Sequence, residues 1–186
     1  MVCSFIGILF HPSRILHTQL RKINLACFPV TYQDKYYKDV SQSKGEGLCK
    51  FAYWNGFVVG SACARLEPLN YTRKTDDGGG GTDESKTDND NGEKRIYIMT
   101  LGVLAAYRGR TIGAQLLQSI LDYFEAHKET PELEKVTEIA LHVQISNDDA
   151  LKFYMDKFGF EKGEMVENYY RRIDPPHCYK LYKKLQ

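Results

Sequence analysis

The stretch from Arg95 to His127 constrains the fold more than any other part of the chain. Residues 95–103, Arg-Ile-Tyr-Ile-Met-Thr-Leu-Gly-Val, have the β-branched and aromatic character of a strand. A short turn with two arginines and two nearby glycines follows. Beyond it, apolar residues recur at Ile112, Leu116, Leu117, Ile120, Leu121 and Phe124, the spacing of an amphipathic helix over 112–127. A strand feeding such a helix requires a sheet with a helix on its face, and so an α/β or α+β architecture.

The rest of the chain reads consistently with this. Residues 1–10 are apolar but lack a basic leader and a small-residue cleavage site, so a first strand is expected rather than a secretory signal. Ile15, Leu16, Leu20, Ile23 and Cys27 give a helix over 15–28, with Ser13 as candidate N-cap and Pro29 as terminator. A second short helix is expected over 32–40. The runs 48–54 and 57–66 are strand-like and are joined by Asn55-Gly56, a strong hairpin signal. Strands over 138–145, 160–164 and 179–185 and a helix over 148–157, capped by Asn147, complete the order. The expectation is one domain over residues 1–186, a mixed sheet of about seven strands flanked by about four helices.

Residues 70–93 stand apart. Asp76-Asp77-Gly78-Gly79-Gly80-Gly81 and its neighbours carry almost no apolar side chains. Such a segment cannot bury enough surface to offset its ordering entropy, so it reads as a flexible loop between two strands. Asp88-Asn89-Asp90-Asn91-Gly92 lacks the full ligand set of a calcium loop.

Bulk properties exclude several function classes. The net charge of +1 over 186 residues implies no overall pull toward nucleic acid or anionic membrane. No apolar run reaches the ~18–20 residues of a membrane span. The five cysteines, Cys3, Cys27, Cys49, Cys63 and Cys178, are odd in number and scattered, which argues against a disulfide framework and a zinc site. No metal is expected. A reducing compartment follows, the cytoplasm, with the nucleus also open.

The chemistry concentrates at the strand-to-helix turn. Backbone N–H groups at a helix start are unpaired and favour negative charge. With Arg108 and Arg110 beside them, the turn suits a pyrophosphate. It is neither a Walker A loop nor a dinucleotide fingerprint, because G-K-[ST] and G-x-G-x-x-G are both absent here.

Strand, Arg108-Gly109-Arg110-Thr111-Ile112-Gly113-Ala114 and amphipathic helix together resemble motif A of the GNAT superfamily. Residues 150–160, Ala-Leu-Lys-Phe-Tyr-Met-Asp-Lys-Phe-Gly-Phe, resemble a second superfamily motif. The segments 28–32, 95–102, 141–147 and 168–173 are similar to the NatE-type N-terminal acetyltransferases within it, and the resemblance runs from about residue 20 to 174. It departs at Thr111, where the motif has Gly, in the segment 153–160, which is one residue longer than the family pattern, and in the first strand.

The resemblance implies acetyl-CoA as cosubstrate and peptide N-termini of nascent proteins as acceptors, with preference for Met followed by an apolar residue. It also implies work beside a ribosome-associated NatA-type complex. Catalysis would fall to Tyr97 and His142. The carrier would lie against Leu101, Gly102, Val103, Leu104, Arg108, Gly109, Arg110, Thr111, Ile112, Gly113, Ala114, Asn147 and Tyr154. The peptide pocket would combine Phe28, Pro29, Val30 and Tyr32 with Met99, Tyr169, Tyr170 and Ile173. Two other readings stay open: the same fold acting on lysine or small amines, and a non-catalytic subunit of an acetyltransferase complex.

Strand alternation bears on the dyad independently. Period 2 places residues 97, 99 and 101 on one face, and sets His142 opposite the apolar face of Ile139, Leu141, Val143 and Ile145. A free α-amine has a pKa of about 7.7–8.0 and must lose a proton before it attacks a thioester. Histidine, near ~6.5, suits that step, and tyrosine, near ~10, is the weaker base. A backbone N–H around 101–103 is the expected oxyanion donor.

Overall fold

The computed structural model describes residues 6–9, 13–42, 47–71 and 92–185. Most of the polar 70–93 segment, residues 72–91, lies outside them, as does most of the first expected strand.

The elements run β1 (Ile6–Leu9), α1 (Ser13–Cys27), α2 (Asp34–Gln42), β2 (Cys49–Trp54), β3 (Phe57–Pro68), β4 (Lys94–Val103), α3 (Ile112–His127), β5 (Val136–Gln144), α4 (Asp148–Lys152), β6 (Glu161–Val166) and β7 (Cys178–Lys184). This is the order expected from the sequence. Among the described residues the strands form a seven-stranded mixed sheet in the order β1-β2-β3-β4-β5-β7-β6. Only β4 and β5 run parallel, because α3 carries the chain between them. The β2–β3 hairpin turns at Asn55 and Gly56, both at positive φ (48° and 83°), as a two-residue turn of matching twist requires.

Two apolar clusters hold the layers. One face of the sheet packs Ile96, Ile98, Val103, Ile139, Leu141 and Val143 against Ile112, Leu116, Leu117, Ile120 and Phe124 of α3. Each such side chain contributes about 1.5–3 kcal/mol by leaving water. The other face packs Cys49, Phe51 and Cys63 against Leu20 of α1 and Tyr37 and Val40 of α2.

The simple alternation expected along β4 does not hold. Cys63 opposes Thr100 while the next residue, Ala64, opposes Ile98, so a bulge inserts Met99 into the ladder. Tyr97, Met99 and Thr100 therefore face the α1–α2 side, and Leu101 switches to the α3 side, where it approaches Gly113. Gly102 faces α1.

The one-residue excess over 153–160 also has a structural answer. After α4 the helix continues as a π-helical turn, Phe153–Lys157. A π turn absorbs one extra residue without ending the helix. Tyr154 stays in the core, 6% exposed.

Candidate active site

Beyond Tyr97 the parallel strands part. β4 pairs with β5 only from Lys94 to Tyr97, opposite Val136 to Ala140. Residues 98–103 keep their ladder to β3 but, among the described residues, have no strand on the β5 side. The amides and carbonyls that point to that side, apart from Val103 O, which accepts from Arg108, form an open backbone edge suited to an extended amide-bearing ligand. Of the amides expected as the oxyanion donor, those of Leu101 and Val103 belong to this edge, since Leu104 N bonds Val59 O and alternation turns Gly102 toward β3.

Tyr97 and His142 meet at the fork. The Tyr97 hydroxyl lies 2.9 Å from His142 Nδ1 and 3.1 Å from the Tyr169 hydroxyl. The His142 ring stacks on Tyr169 with centroids 4.5 Å apart, and Tyr170 packs edge-on to Tyr169 at 4.9 Å. The segment holding these rings is pinned at its base, where Tyr170 N donates to Pro176 O and Gln144 Nε2 donates to Pro175 O. Ile173 is half-buried on the same segment.

A charged network, unmarked in the sequence, supports the dyad. Arg65 donates through Nε and Nη2 to one oxygen of Glu67, and Arg95 donates to the other at 2.6 Å. Glu138 links Arg95 to Lys180. Both guanidiniums lie over the Tyr97 ring, at 5.5 and 5.9 Å. Burial is the largest single effect on Arg65 and lowers its pKa, but the charge and hydrogen bonds of Glu67, with Tyr71 and Tyr97, together hold it above its usual range.

The other wall of the cleft is aromatic. Phe28 meets Tyr32 edge-on at 6.1 Å, and Tyr32 packs on Tyr36 at 4.6 Å. Tyr36, absent from the sequence-derived pocket, bonds Thr100 at 3.0 Å, and burial pushes its hydroxyl well above the ordinary tyrosine range. Met99 packs beside these rings. Gly102 is required here, since a Cβ would come within 2.9 Å of Cys27 Cβ and 3.1 Å of Phe28 Cζ. Pro29 is exposed and Val30 half-buried on the loop after α1.

The turn before α3 carries the expected anion cradle, with its side chains arranged differently. The amides of Ile112, Gly113 and Ala114 have no acceptor within the helix. Gly109 takes φ +74° and a Cβ there would meet nothing within 4 Å, so the turn is open. Arg108 folds back, with Nε donating to Val103 O at 3.0 Å, and its charge opposes the burial that raises the Cys27 thiol pKa. Arg110 lies over Trp54 at 5.0 Å. Thr111 occupies the left-handed region at φ 61°, which explains a glycine in the family motif. Its hydroxyl donates to Arg110 O and accepts from Gln115 Nε2. Leu104 precedes a single 3₁₀ turn, Ala105–Tyr107, that leads into the cradle. Asn147 caps α4, its side chain accepting from Ala150 N at 3.1 Å. The Tyr154 ring is boxed by Phe153 and Phe160, and burial raises its pKa. A groove lined by Ala114, Gln115, Gln118, Lys157 and Lys183 opens from the first turn of α3.

Comparison with known proteins places this geometry. Residues 17–160 match the Acetyltransferase (GNAT) family. The chain is 40% identical over 168 residues to N-alpha-acetyltransferase 50 of Danio rerio, covering 90% of this chain and 82% of that protein. It is 39% identical over 168 residues to the probable N-acetyltransferase san of Drosophila melanogaster, covering 90% and 75%. Among solved structures it resembles Arabidopsis thaliana Naa50 in complex with the bisubstrate analogue CoA-Ac-MVNAL, with 37% identity, a TM-score of 0.74 and coverage of 97% and 99%. The chain therefore belongs to the GNAT family of acetyltransferases.

Proposed function

We propose that this protein transfers the acetyl group of acetyl-CoA to the α-amine of peptides that begin with Met followed by an apolar residue. The observation that carries the reading is the 2.9 Å contact between Tyr97 and His142 at the point where β4 and β5 part. The two relatives at 40% and 39% identity are N-acetyltransferases by name, and the ligand of the Arabidopsis relative joins CoA to a peptide starting Met-Val. The Phe28, Tyr32, Tyr36 and Met99 wall supplies an apolar pocket for a Met side chain.

The cosubstrate fits the chain's own groups. The amides of 112–114 and the Arg110 guanidinium would hold its pyrophosphate. The open edge of 98–103 would pair with its amide-bearing arm, and Lys157 and Lys183 would offer charge to its adenosine phosphates. Asn147 and Tyr154 would border its thiol end.

In the reaction the substrate ammonium gives a proton, directly or through water, to the Tyr97 hydroxyl, whose own proton passes to His142 Nδ1. Tyr169 holds the far side of that hydroxyl. The free amine attacks the thioester carbon, and an edge amide of 101–103 receives the developing oxyanion. Collapse expels the CoA thiolate, which takes up the second proton that the attacking nitrogen gives up, and the products are the neutral amide and the free CoA thiol. Tyr154, kept protonated by burial, donates a hydrogen bond to the leaving sulfur rather than its proton.

The same reading places the protein on nascent-chain N-termini, beside a ribosome-associated NatA-type complex, in the cytoplasm. The test is an acetyl-transfer assay over peptides that differ in their first two residues. Met-Leu and Met-Val peptides should lead, and a peptide with an acidic second residue should trail. Faster turnover of free lysine or small amines would replace this reading with its alternative.

A further inference from the structure

We propose that Cys49 and Cys63 form a dithiol site that a hydroperoxide converts to an intramolecular disulfide, and that this bond loosens the peptide pocket above it. The second half rests on the acetyltransferase reading. The first half does not.

The geometry is set by the β2–β3 ladder. Cys49 and Cys63 are directly opposed. The adjacent pair carries a ladder bond, Ala64 N to Leu48 O at 3.1 Å. In an antiparallel ladder bonded and non-bonded pairs alternate, so the two cysteines form a non-bonded pair with Cα atoms about 4.5 Å apart. That lies inside the ~4.4–6.8 Å range a disulfide spans. Both side chains lie on the same face of the sheet, in the cluster with Phe51 and Leu20. Both are buried, at 3% and 1% exposure, yet Cys49 lies at a margin. β1 covers β2 only from Phe51 to Trp54, so among the described residues no strand lies along Cys49.

The two sulfurs are not equivalent. Cys49 lies at the end of β2 beyond the reach of β1, whereas Cys63 is enclosed between β2 and β4. Cys49 is therefore the sulfur the hydroperoxide reaches first. Its thiolate attacks one peroxide oxygen, the O–O bond breaks, and the alcohol (water, for hydrogen peroxide) leaves with a proton. The Cys63 sulfur then attacks the Cys49 sulfenic acid, its proton joins the departing hydroxide, and water leaves. Two thiols and one hydroperoxide give one disulfide, one alcohol and one water, with two electrons passing from the sulfurs to the peroxide.

The bond reaches the pocket through Cys63. Cys63 is opposite Thr100 in the β3–β4 register, Thr100 bonds Tyr36 at 3.0 Å, and Tyr36 packs against the cluster that holds Cys63. Tyr36 supports Tyr32, and Tyr32 meets Phe28. Drawing the Cys63 sulfur to about 2.05 Å from Cys49 pulls it away from the Thr100–Tyr36 pair. The ring wall then loses part of the packing beneath it.

The full chain is treated with a few equivalents of hydrogen peroxide, alkylated and digested with trypsin, which cuts after Lys50 and Arg65 and so separates the two cysteines. The proposal expects one disulfide-linked pair, residues 45–50 joined to 51–65, that dithiothreitol dissolves. Separate, fully alkylated peptides would overturn it. In the linked protein the peptide KM should rise about fivefold as the wall loses this support, and return on reduction. In Cys49→Ala, peroxide should leave KM unchanged. An unchanged KM in linked protein, or the same rise in Cys49→Ala, would overturn the coupling. The mapping needs no activity, so failure of the acetyltransferase reading is distinguishable from failure of the disulfide.

Discussion

Replacing Tyr97 by Phe removes one oxygen atom and keeps the ring. The ring's packing partners remain, with Arg65 and Arg95 over its face and His142 beside it. What disappears is the bridge from His142 Nδ1 at 2.9 Å to the Tyr169 hydroxyl at 3.1 Å. Two half-buried hydrogen bonds of about 1 kcal/mol each set the stability loss at ~1–2 kcal/mol, too little to unfold the chain. The kinetic loss is larger, because the hydroxyl carries the proton from amine to imidazole. Loss of a positioned proton-transfer group costs ~10²–10⁴ in rate, or about 3–5.5 kcal/mol of barrier. Initial rates of peptide acetylation, followed by mass spectrometry, should show kcat reduced at least a hundredfold with KM changed by no more than a few-fold. Tyr169→Phe is the comparison, since it breaks the 3.1 Å bond and leaves the Tyr97–His142 relay intact. It should act mainly on KM. A Tyr97→Phe enzyme with kcat within threefold of the parent would refute the relay.

Three further outcomes follow from particular contacts. Gly102→Ala should raise peptide KM and lower stability by ~1–3 kcal/mol in chemical denaturation, since its Cβ must displace Cys27 and Phe28. Thr111→Gly should stabilise the chain by about 0.5–1 kcal/mol, the left-handed penalty of Thr less the entropy cost of glycine, without weakening acetyl-CoA binding measured by calorimetry. Stability should decline on the alkaline side. Burial raises Cys178 from 9.0 to about 12 and also raises Tyr36 and Tyr154 above 10.0. Above about pH 9 the unfolded chain therefore binds fewer protons than the folded one. The stabilisation is fully present below pH 9 and is lost as pH rises toward 12. Denaturation midpoints between pH 8 and 11 check this, and a flat or rising profile would contradict it.

Local signals carried much of the fold. Asn55-Gly56 defined its hairpin because only residues tolerant of positive φ close so tight a turn. The apolar period of 112–127 marked α3, with Leu121 on its margin, half-buried. The pairing of Tyr97 with His142 came from resemblance, since alternation sorts the residues of one strand by face without saying which face of the next strand it meets. Other features were illegible because they depend on partners far along the chain. The bulge at Met99 exists only relative to Cys63 and Ala64, so counting by twos placed Leu101 on the wrong face. Thr111 bore no mark of its left-handed backbone beyond the glycine it replaces. Tyr36 and Thr100 are 64 residues apart, and nothing local announces their hydrogen bond. The Arg65–Glu67–Arg95–Glu138–Lys180 network is spread over four strands, where each member reads as a solvated charge.

The most direct measurement uses one peptide that begins Met-Leu and carries an internal lysine, incubated with the full chain and acetyl-CoA and fragmented in a mass spectrometer. A single acetyl group on the terminal nitrogen is the predicted product. Acetyl on the lysine nitrogen, or an unmodified peptide, would contradict the assignment of the forked cleft to α-amines.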